Sequence, residues 1–194
     1  GPMTLAMQLV DINTLVPDVA GDPVAVRGLL ERLADVLIEV AQLYRASGAD
    51  FITVHEMGGS PGYLGPRSFE RVVLPPLQKL LAALPAPRVL SVCGRTNRAM
   101  ALLAQAGADA LSVDQTNDLA ASRAVLGPNP LLFGNLDPVA LLADADPHAV
   151  RQAVAQALAQ GADAIWPGCD LWPLVPAENM QAMVEATAQG RRAL

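Results

Sequence analysis

A tripeptide recurs at three places and limits what this chain can fold into. Gly48-Ala49-Asp50 runs into Phe51-Ile52-Thr53-Val54, Gly107-Ala108-Asp109 into Ala110-Leu111-Ser112-Val113, and Gly161-Ala162-Asp163 into Ala164-Ile165. Each copy follows a helical pattern and precedes a short apolar run. Glycine closes a helix by taking the left-handed conformation, and an apolar run without polar alternation suits a strand buried on both faces. The copies lie 59 and 54 residues apart, and each interval holds one further apolar strand candidate, at 88–92 and 131–133. One βα unit therefore takes roughly 27 to 30 residues, the size of parallel βαβ construction. The chain is read as α/β with a parallel sheet.

Helix starts support this reading. Asp22-Pro23 and Asp146-Pro147 each place a capping acid before a proline at the first helical position. Apolar residues follow at helical spacing, Val26, Leu29, Leu30, Leu33, Leu37 and Val40 in one case and Val150, Val154 and Leu158 in the other. Further helices are predicted at 68–84, 96–106, 116–126 and 177–189, and an initial strand at 3–10. That count is six βα units in a single domain spanning 1–194, with no linker. A closed (β/α)8 barrel takes about 250 residues. Six units leave two solutions open: a doubly wound sheet, or most of a barrel whose first units lie on a preceding segment or a partner chain. Either one leaves an exposed seam, which predicts a homo-oligomer or completion by further polypeptide.

Composition removes whole classes of function. Of 194 residues, 52% are hydrophobic, and a net charge of −6 provides no basic field for nucleic acid or an anionic membrane. No stretch is long and apolar enough to span a bilayer, and no signal-peptide pattern opens the chain. Two cysteines, Cys93 and Cys169, are too few for a disulfide scaffold and suit a reducing cytosol. The expectation is a soluble, cytoplasmic protein. No Walker loop, dinucleotide fingerprint, nucleophile elbow or HExxH is present.

In parallel α/β folds chemistry gathers at the carboxyl ends of strands. Those ends read His55-Glu56, Cys93-Gly94, Asp114-Gln115, Gly134-Asn135-Leu136-Asp137 and Cys169-Asp170. Two thiolates with an imidazole or a carboxylate are what a catalytic zinc ion requires, leaving a fourth position for substrate. The wide separation of the cysteines excludes a zinc knuckle and suits ligands drawn from different strands. A buried cysteine is equally a small hydrophobe, and His55 equally a structural hydrogen-bonding group. His148, in a helix first turn, reads as surface. Trp166 and Trp172 flank Pro167-Gly168-Cys169 and either wall a pocket or fill core.

The residues also resemble a known family. Gly1-Pro2-Met3-Thr4-Leu5-Ala6, Val113-Asp114-Gln115, Gly134-Asn135-Leu136-Asp137-Pro138, Pro167-Gly168-Cys169 and Pro176-Ala177-Glu178-Asn179-Met180-Gln181-Ala182-Met183-Val184 together are similar to the uroporphyrinogen decarboxylase superfamily. The match runs along nearly the whole chain in order. The nearer branch is the zinc-dependent, cobamide-linked methyltransferases of the methylcobamide:coenzyme M type. These carry His-x-Cys-Gly at one strand end and Pro-Gly-Cys at a later one. Cys93-Gly94 and Cys169 match, but Ser91 stands at the histidine position. The resemblance implies a (β/α)8 barrel of which about six units are present here. It aligns Gly1-Pro2 with a family Gly-Pro that ordinarily follows a long segment. In the decarboxylases that segment holds the tetrapyrrole.

Three functions follow as expectations. The first is a methyltransferase moving a methyl group between a corrinoid, carried by a partner protein, and a thiol at a zinc site. Its candidate catalytic residues are Cys93, Cys169 and Glu56. Its metal ligands come from Cys93, Cys169, His55 and Glu56, the last two standing in for Ser91, with Asp170 a poorer candidate. Asp114, Gln115, Asn135, Trp166 and Trp172 would line the substrate pocket. The second is a porphyrinogen decarboxylase, for which the arginines near strand ends, Arg95, Arg98 and Arg67, are few. The third is a non-catalytic barrel subunit that docks a protein partner.

Overall fold

The computed structural model describes residues 1–190. It falls into two compact units, Gly1–Leu111 and a second from Ser112 onward.

In the first unit the helices α1 (Pro2–Leu9), α2 (Ile12–Gly21) and α3 (Pro23–Ala46) precede strand β1 (Ile52–His55). The one-turn helices α4 (Pro61–Leu64) and α5 (Pro66–Ser68) and a π-turn over Phe69–Val73 lead into α6 (Leu74–Ala83), β2 (Arg88–Val92) and α7 (Met100–Ala104). Strands β1 and β2 pair in parallel, with Ile52 opposite Arg88 and His55 opposite Ser91. Helix α3 starts where the Asp22 side chain accepts from the Ala25 N–H and proline takes the first turn. It packs against α6 and α1, and Leu30, Phe69, Leu77, Leu81 and Leu90 are fully buried.

The chain leaves this unit within β3 (Ala110–Val113). In the second unit α8 (Leu119–Leu126), β4 (Leu131–Phe133), α9 (Pro147–Ala159) and α10 (Ala177–Gly190) follow. Parallel bridges join Phe133 to Ala164 and Leu136 to Pro167. Helix α9 is capped by Asp146, which accepts from Ala149 N–H at 2.8 Å, and it packs against α10. Asn179 ties α10 to the turn before α9, its Nδ2 donating to the carbonyls of Leu142 and Ala145.

The recurrent tripeptide has a physical role. Gly48, Gly107 and Gly161 all take positive φ, at 99°, 85° and 96°. In two of the copies the aspartate then reaches the start of another strand. Asp109 accepts from the Arg88 N–H at 2.7 Å and from the Arg88 guanidinium, and Asp163 accepts from the Leu132 N–H at 2.7 Å and from Arg123. Each carboxylate thus fixes where a strand begins.

Two sequence expectations are corrected. Residues 3–10 are not a strand: helix α1 occupies Pro2–Leu9, because Pro2 sits in its first turn and the Glu56 carboxylate accepts from its leading N–H groups. Residues 164–165 enter the sheet only through the bridge at Ala164, so the described residues hold four strands and not six. Helix α2 was not foreseen, and it contains Pro17.

An added Cβ at Gly107 would meet nothing within 4 Å, so Gly107→Ala tests the backbone alone. It should cost about 1 to 2 kcal/mol in urea unfolding, the penalty of a left-handed alanine. Hydrogen bonding from Arg88 holds the Asp109 carboxyl below its ordinary value. The unfolded state then binds more protons in acid, so this pair's stabilisation is complete above the unfolded aspartate value of about 3.9 and is lost as pH falls through the lower folded value. Asp109→Asn should therefore flatten part of the acid limb in a stability series taken against pH.

Candidate functional site

Each unit presents its polar residues directly after strand ends. In the first unit these are His55 and Glu56 after β1 and Cys93 after β2. Cys93 is half-buried, and its carbonyl accepts from Ser60 Oγ at 2.6 Å. Ser60 Oγ also accepts from the Gly62 N–H. A Cβ at Gly62 would lie 2.7 Å from the Arg95 carbonyl oxygen, so only glycine lets the loop after β1 rest on the loop after β2. The two loops are laced together around Cys93. Ser91 is buried within β2, opposite His55.

Glu56 is fully buried and surrounded by donors. Its carboxylate accepts from Met3 N–H at 3.0 Å, Thr4 N–H at 2.9 Å, Thr4 Oγ1 at 2.7 Å and Gly59 N–H at 3.0 Å. A carboxylate at a helix N-terminus satisfies otherwise orphaned N–H groups and the helix dipole. Glu56 fastens α1 to the loop after β1. His55 is exposed, and its carbonyl accepts from the Gly1 nitrogen.

In the second unit Asp114 closes β3 and is buried. Its Oδ1 accepts from Thr116 N–H at 2.9 Å, Thr116 Oγ1 at 2.5 Å and Asn117 Nδ2 at 3.0 Å. Asn135, following β4, donates from Nδ2 to the carbonyls of Asp114 at 3.0 Å and Asn117 at 2.8 Å. Both amide protons are thereby used, and Oδ1 must face away from these carbonyls as an acceptor. Gly168 packs on the same strand end: a Cβ there would lie 2.5 Å from Gln115 Oε1 and 2.8 Å from Gln115 N. The Pro167-Gly168-Cys169 turn is thus pressed against Asp114 and Gln115, which brings half-buried Cys169 to the strand end with Asn135.

The tryptophans separate. Trp166 stacks at a tilt on Phe133, with ring centroids 5.1 Å apart and an interplanar angle of 60°, which is core packing. Trp172 lies on an exposed loop with Leu171 and Leu174. Ser60, Gly62, Thr116 and Asn117 were missed from sequence. Asp114-Gln115-Thr116-Asn117 carries the turn chemistry of an aspartate bonding the backbone two residues on, a signal that was available. Ser60-Pro61-Gly62 had none beyond its turn composition.

The donor set fits zinc in part. Two half-buried thiols are of the right softness, but within each unit the described residues contain no group of three or more His, Cys, Asp or Glu able to hold a metal. Glu56, surrounded by its four donors, is spent on α1.

Known proteins share this architecture. The family model described as "Uroporphyrinogen decarboxylase (URO-D)" matches residues 1–190. Methylcobamide:CoM methyltransferase MtaA of Methanosarcina barkeri is 29% identical over 191 residues, 96% of this chain and 55% of the relative. MtbA of Methanosarcina mazei, also a methylcobamide:CoM methyltransferase, is 32% identical over 169 residues, covering 86% and 50%. A uroporphyrinogen decarboxylase of Dichelobacter nodosus is 35% identical over 172 residues, covering 84% and 48%. The solved structure of a methyltransferase from Methanosarcina mazei superposes with a TM-score of 0.92 at 27% identity, over 97% of this chain and 56% of that one. The chain spans about half the length of the curated relatives it matches.

Replacing Glu56 by alanine would strand the donors at the start of α1. Glu56→Ala should cost about 2 to 4 kcal/mol by urea melt, and Glu56→Gln, which retains one acceptor oxygen, about half of that. A variant with unchanged stability would place the hold on α1 elsewhere.

Proposed function

We propose, from the premise that this chain belongs to the uroporphyrinogen decarboxylase family, that it carries the thiol-bearing part of a methyltransferase moving a methyl group between a corrinoid and a thiol. The observation that supports this most is the placement of Cys93 directly after β2 and Cys169 on the turn seated against Asp114 and Gln115. Methylcobamide:CoM methyltransferases match nearly the whole chain, which favours this reading over decarboxylation. The arginines a porphyrinogen would need, Arg67, Arg95 and Arg98, are few and lie on the exposed surface.

Cys93 and Cys169 are the residues that would hold zinc. Zinc held there would supply one thing, a lowered pKa for a substrate thiol, so that a thiolate would be available at neutral pH. The reaction is then a displacement. The methylcorrinoid would be the substrate, and a thiolate at this site would displace its methyl group, the corrinoid leaving with the bonding pair and the thiol proton passing to solvent.

The chain's own residues contribute orientation. Asn135, with both amide protons committed to Asp114 and Asn117 carbonyls, offers Oδ1 as a fixed acceptor for a donor group on the substrate. Asp114 organises that strand end and is a positioning residue, since its Oδ1 is occupied by Thr116 and Asn117. The corrinoid comes on a partner protein.

The test uses methylcobalamin and 2-mercaptoethanesulfonate with purified protein, following the loss of methylcobalamin absorbance. Cys93→Ser and Cys169→Ser should each abolish transfer and zinc retention while leaving the folded content unchanged. Ser91→His, which adds an imidazole two residues before Cys93 on β2, should raise zinc affinity about tenfold in a chelator competition. Transfer by both serine variants at the parent rate would eliminate the reading.

A further inference from the structure

We propose that the groove between the first turns of α3 and the π-turn is a binding site for a small soluble organic phosphate, its phosphoryl oxygens held by Arg27 and Arg71 and its carbon substituent lying on Pro23 and Val24. The groove lies wholly within the first unit, and its ligand is independent of the methyl-transfer reading.

Helix α3 packs against the π-turn over Phe69–Val73. In that turn the Leu74 N–H donates five residues back, to the Phe69 carbonyl, an insertion into a helix that recurs at functional sites. Phe69, Val72 and Val73 are fully buried on the core side, whereas Arg71 is exposed and lines the groove. Among the described residues Arg71 has no hydrogen bond or ion pair. Arg27 donates from Nε to Glu31 Oε1 at 2.8 Å, and its Nη groups bond nothing among the described residues. The groove thus sets two guanidinium groups against one carboxylate, an excess of positive charge in a chain of net charge −6.

Gly28 lies on the wall of the same groove, inside a helix of 24 residues. Glycine within a helix is destabilising relative to alanine. Nothing in the fold calls for it here: its φ is not positive, and an added Cβ would meet nothing within 4 Å. What the missing methyl does is open the helix backbone to the groove between Val24 and Glu31. A glycine that the fold does not need, on the floor of a cavity with two uncommitted guanidinium edges, is explained by a ligand that comes close to the helix.

The chemistry of the lining selects the ligand. A guanidinium fork matches a pair of oxygens on carboxylate or phosphate. Two forks reaching one anion from different elements need more oxygens than a planar carboxylate has, and a tetrahedral phosphate supplies them. Pro23 and Val24, the latter 77% exposed, offer apolar surface beside the cations for a carbon substituent. The volume of about 370 Å³ lies within the range of small-molecule sites, about 300 to 1,000 Å³. The net negative charge of the chain opposes an anionic bilayer, so the phosphate is a soluble one.

The probes are phenyl phosphate, inorganic phosphate and benzoate, titrated into the full chain with affinity read by calorimetry and location by amide shifts in NMR. Phenyl phosphate should bind and move the amides of residues 23–31 and 69–73. Inorganic phosphate, which lacks the apolar contact, and benzoate, which has two oxygens, should each bind about tenfold or more weakly. Arg71→Gln should weaken phenyl phosphate by about tenfold or more, and Arg32→Gln, on the same helix but outside the groove, should leave it unchanged. Gly28→Ala should raise the melting temperature by about 2 to 4 °C while weakening phenyl phosphate about tenfold. Any of five results would overturn the proposal: no shifts at millimolar phenyl phosphate, benzoate binding as well as phenyl phosphate, equal losses in Arg71→Gln and Arg32→Gln, Gly28→Ala with a lower melting temperature or full affinity, or capture of the protein by phosphatidic acid vesicles, which would make the occupant a lipid surface.

Discussion

The carboxylate at the joint between helix and strand is the contact on which the remaining geometry depends. Asp109 and Asp163 each follow a left-handed glycine and each bind an N–H at the start of another strand, that of Arg88, the first residue of β2, and that of Leu132, the second of β4. A strand has a two-residue period, so fixing one hydrogen bond near its start fixes which side chains face which way along its whole length. Arginine reinforces both joints, Arg88 at Asp109 and Arg123 at Asp163. Where β2 and β4 begin decides that Cys93 and Asn135 stand just beyond their far ends.

At those ends, the loops convert placement into rigidity. Ser60 and Gly62 lace the Cys93 turn, while Asp114, Thr116, Asn117 and Asn135 form one hydrogen-bonded knot against which Gly168 sets the Cys169 turn. Such knots hold side chains without further reorganisation, the condition for orienting a substrate. Glu56 shows the reverse assignment. It stands at a strand end beside a histidine, as a ligand would, but its oxygens are spent on the N-terminus of α1.

Much of the fold was legible because its signals are local. The limits of β2, β3 and β4 coincide with the apolar runs at 88–92, 110–113 and 131–133, and the Asp-Pro pairs mark the starts of α3 and α9. Residues 3–10 failed for a physical reason: a short apolar run looks alike as a buried helix or a strand, and the acid that decides it, Glu56, lies more than fifty residues away. Of the candidate site, what was legible is placement along the chain. The apolar runs placed Cys93, Asp114 and Asn135 just past strands, as the structure has them, but the diversion of Glu56 and the packing of Trp166 on Phe133 depend on tertiary contacts that spacing does not carry.

The central proposal is that Cys93 and Cys169 serve as zinc ligands in thiol methylation, and zinc K-edge X-ray absorption of the zinc-loaded protein tests it most directly. The account predicts two sulfur scatterers at about 2.3 Å from zinc, falling to one in Cys93→Ser or Cys169→Ser. A first shell made only of nitrogen and oxygen at about 2.0 to 2.1 Å, unchanged by either substitution, would contradict it.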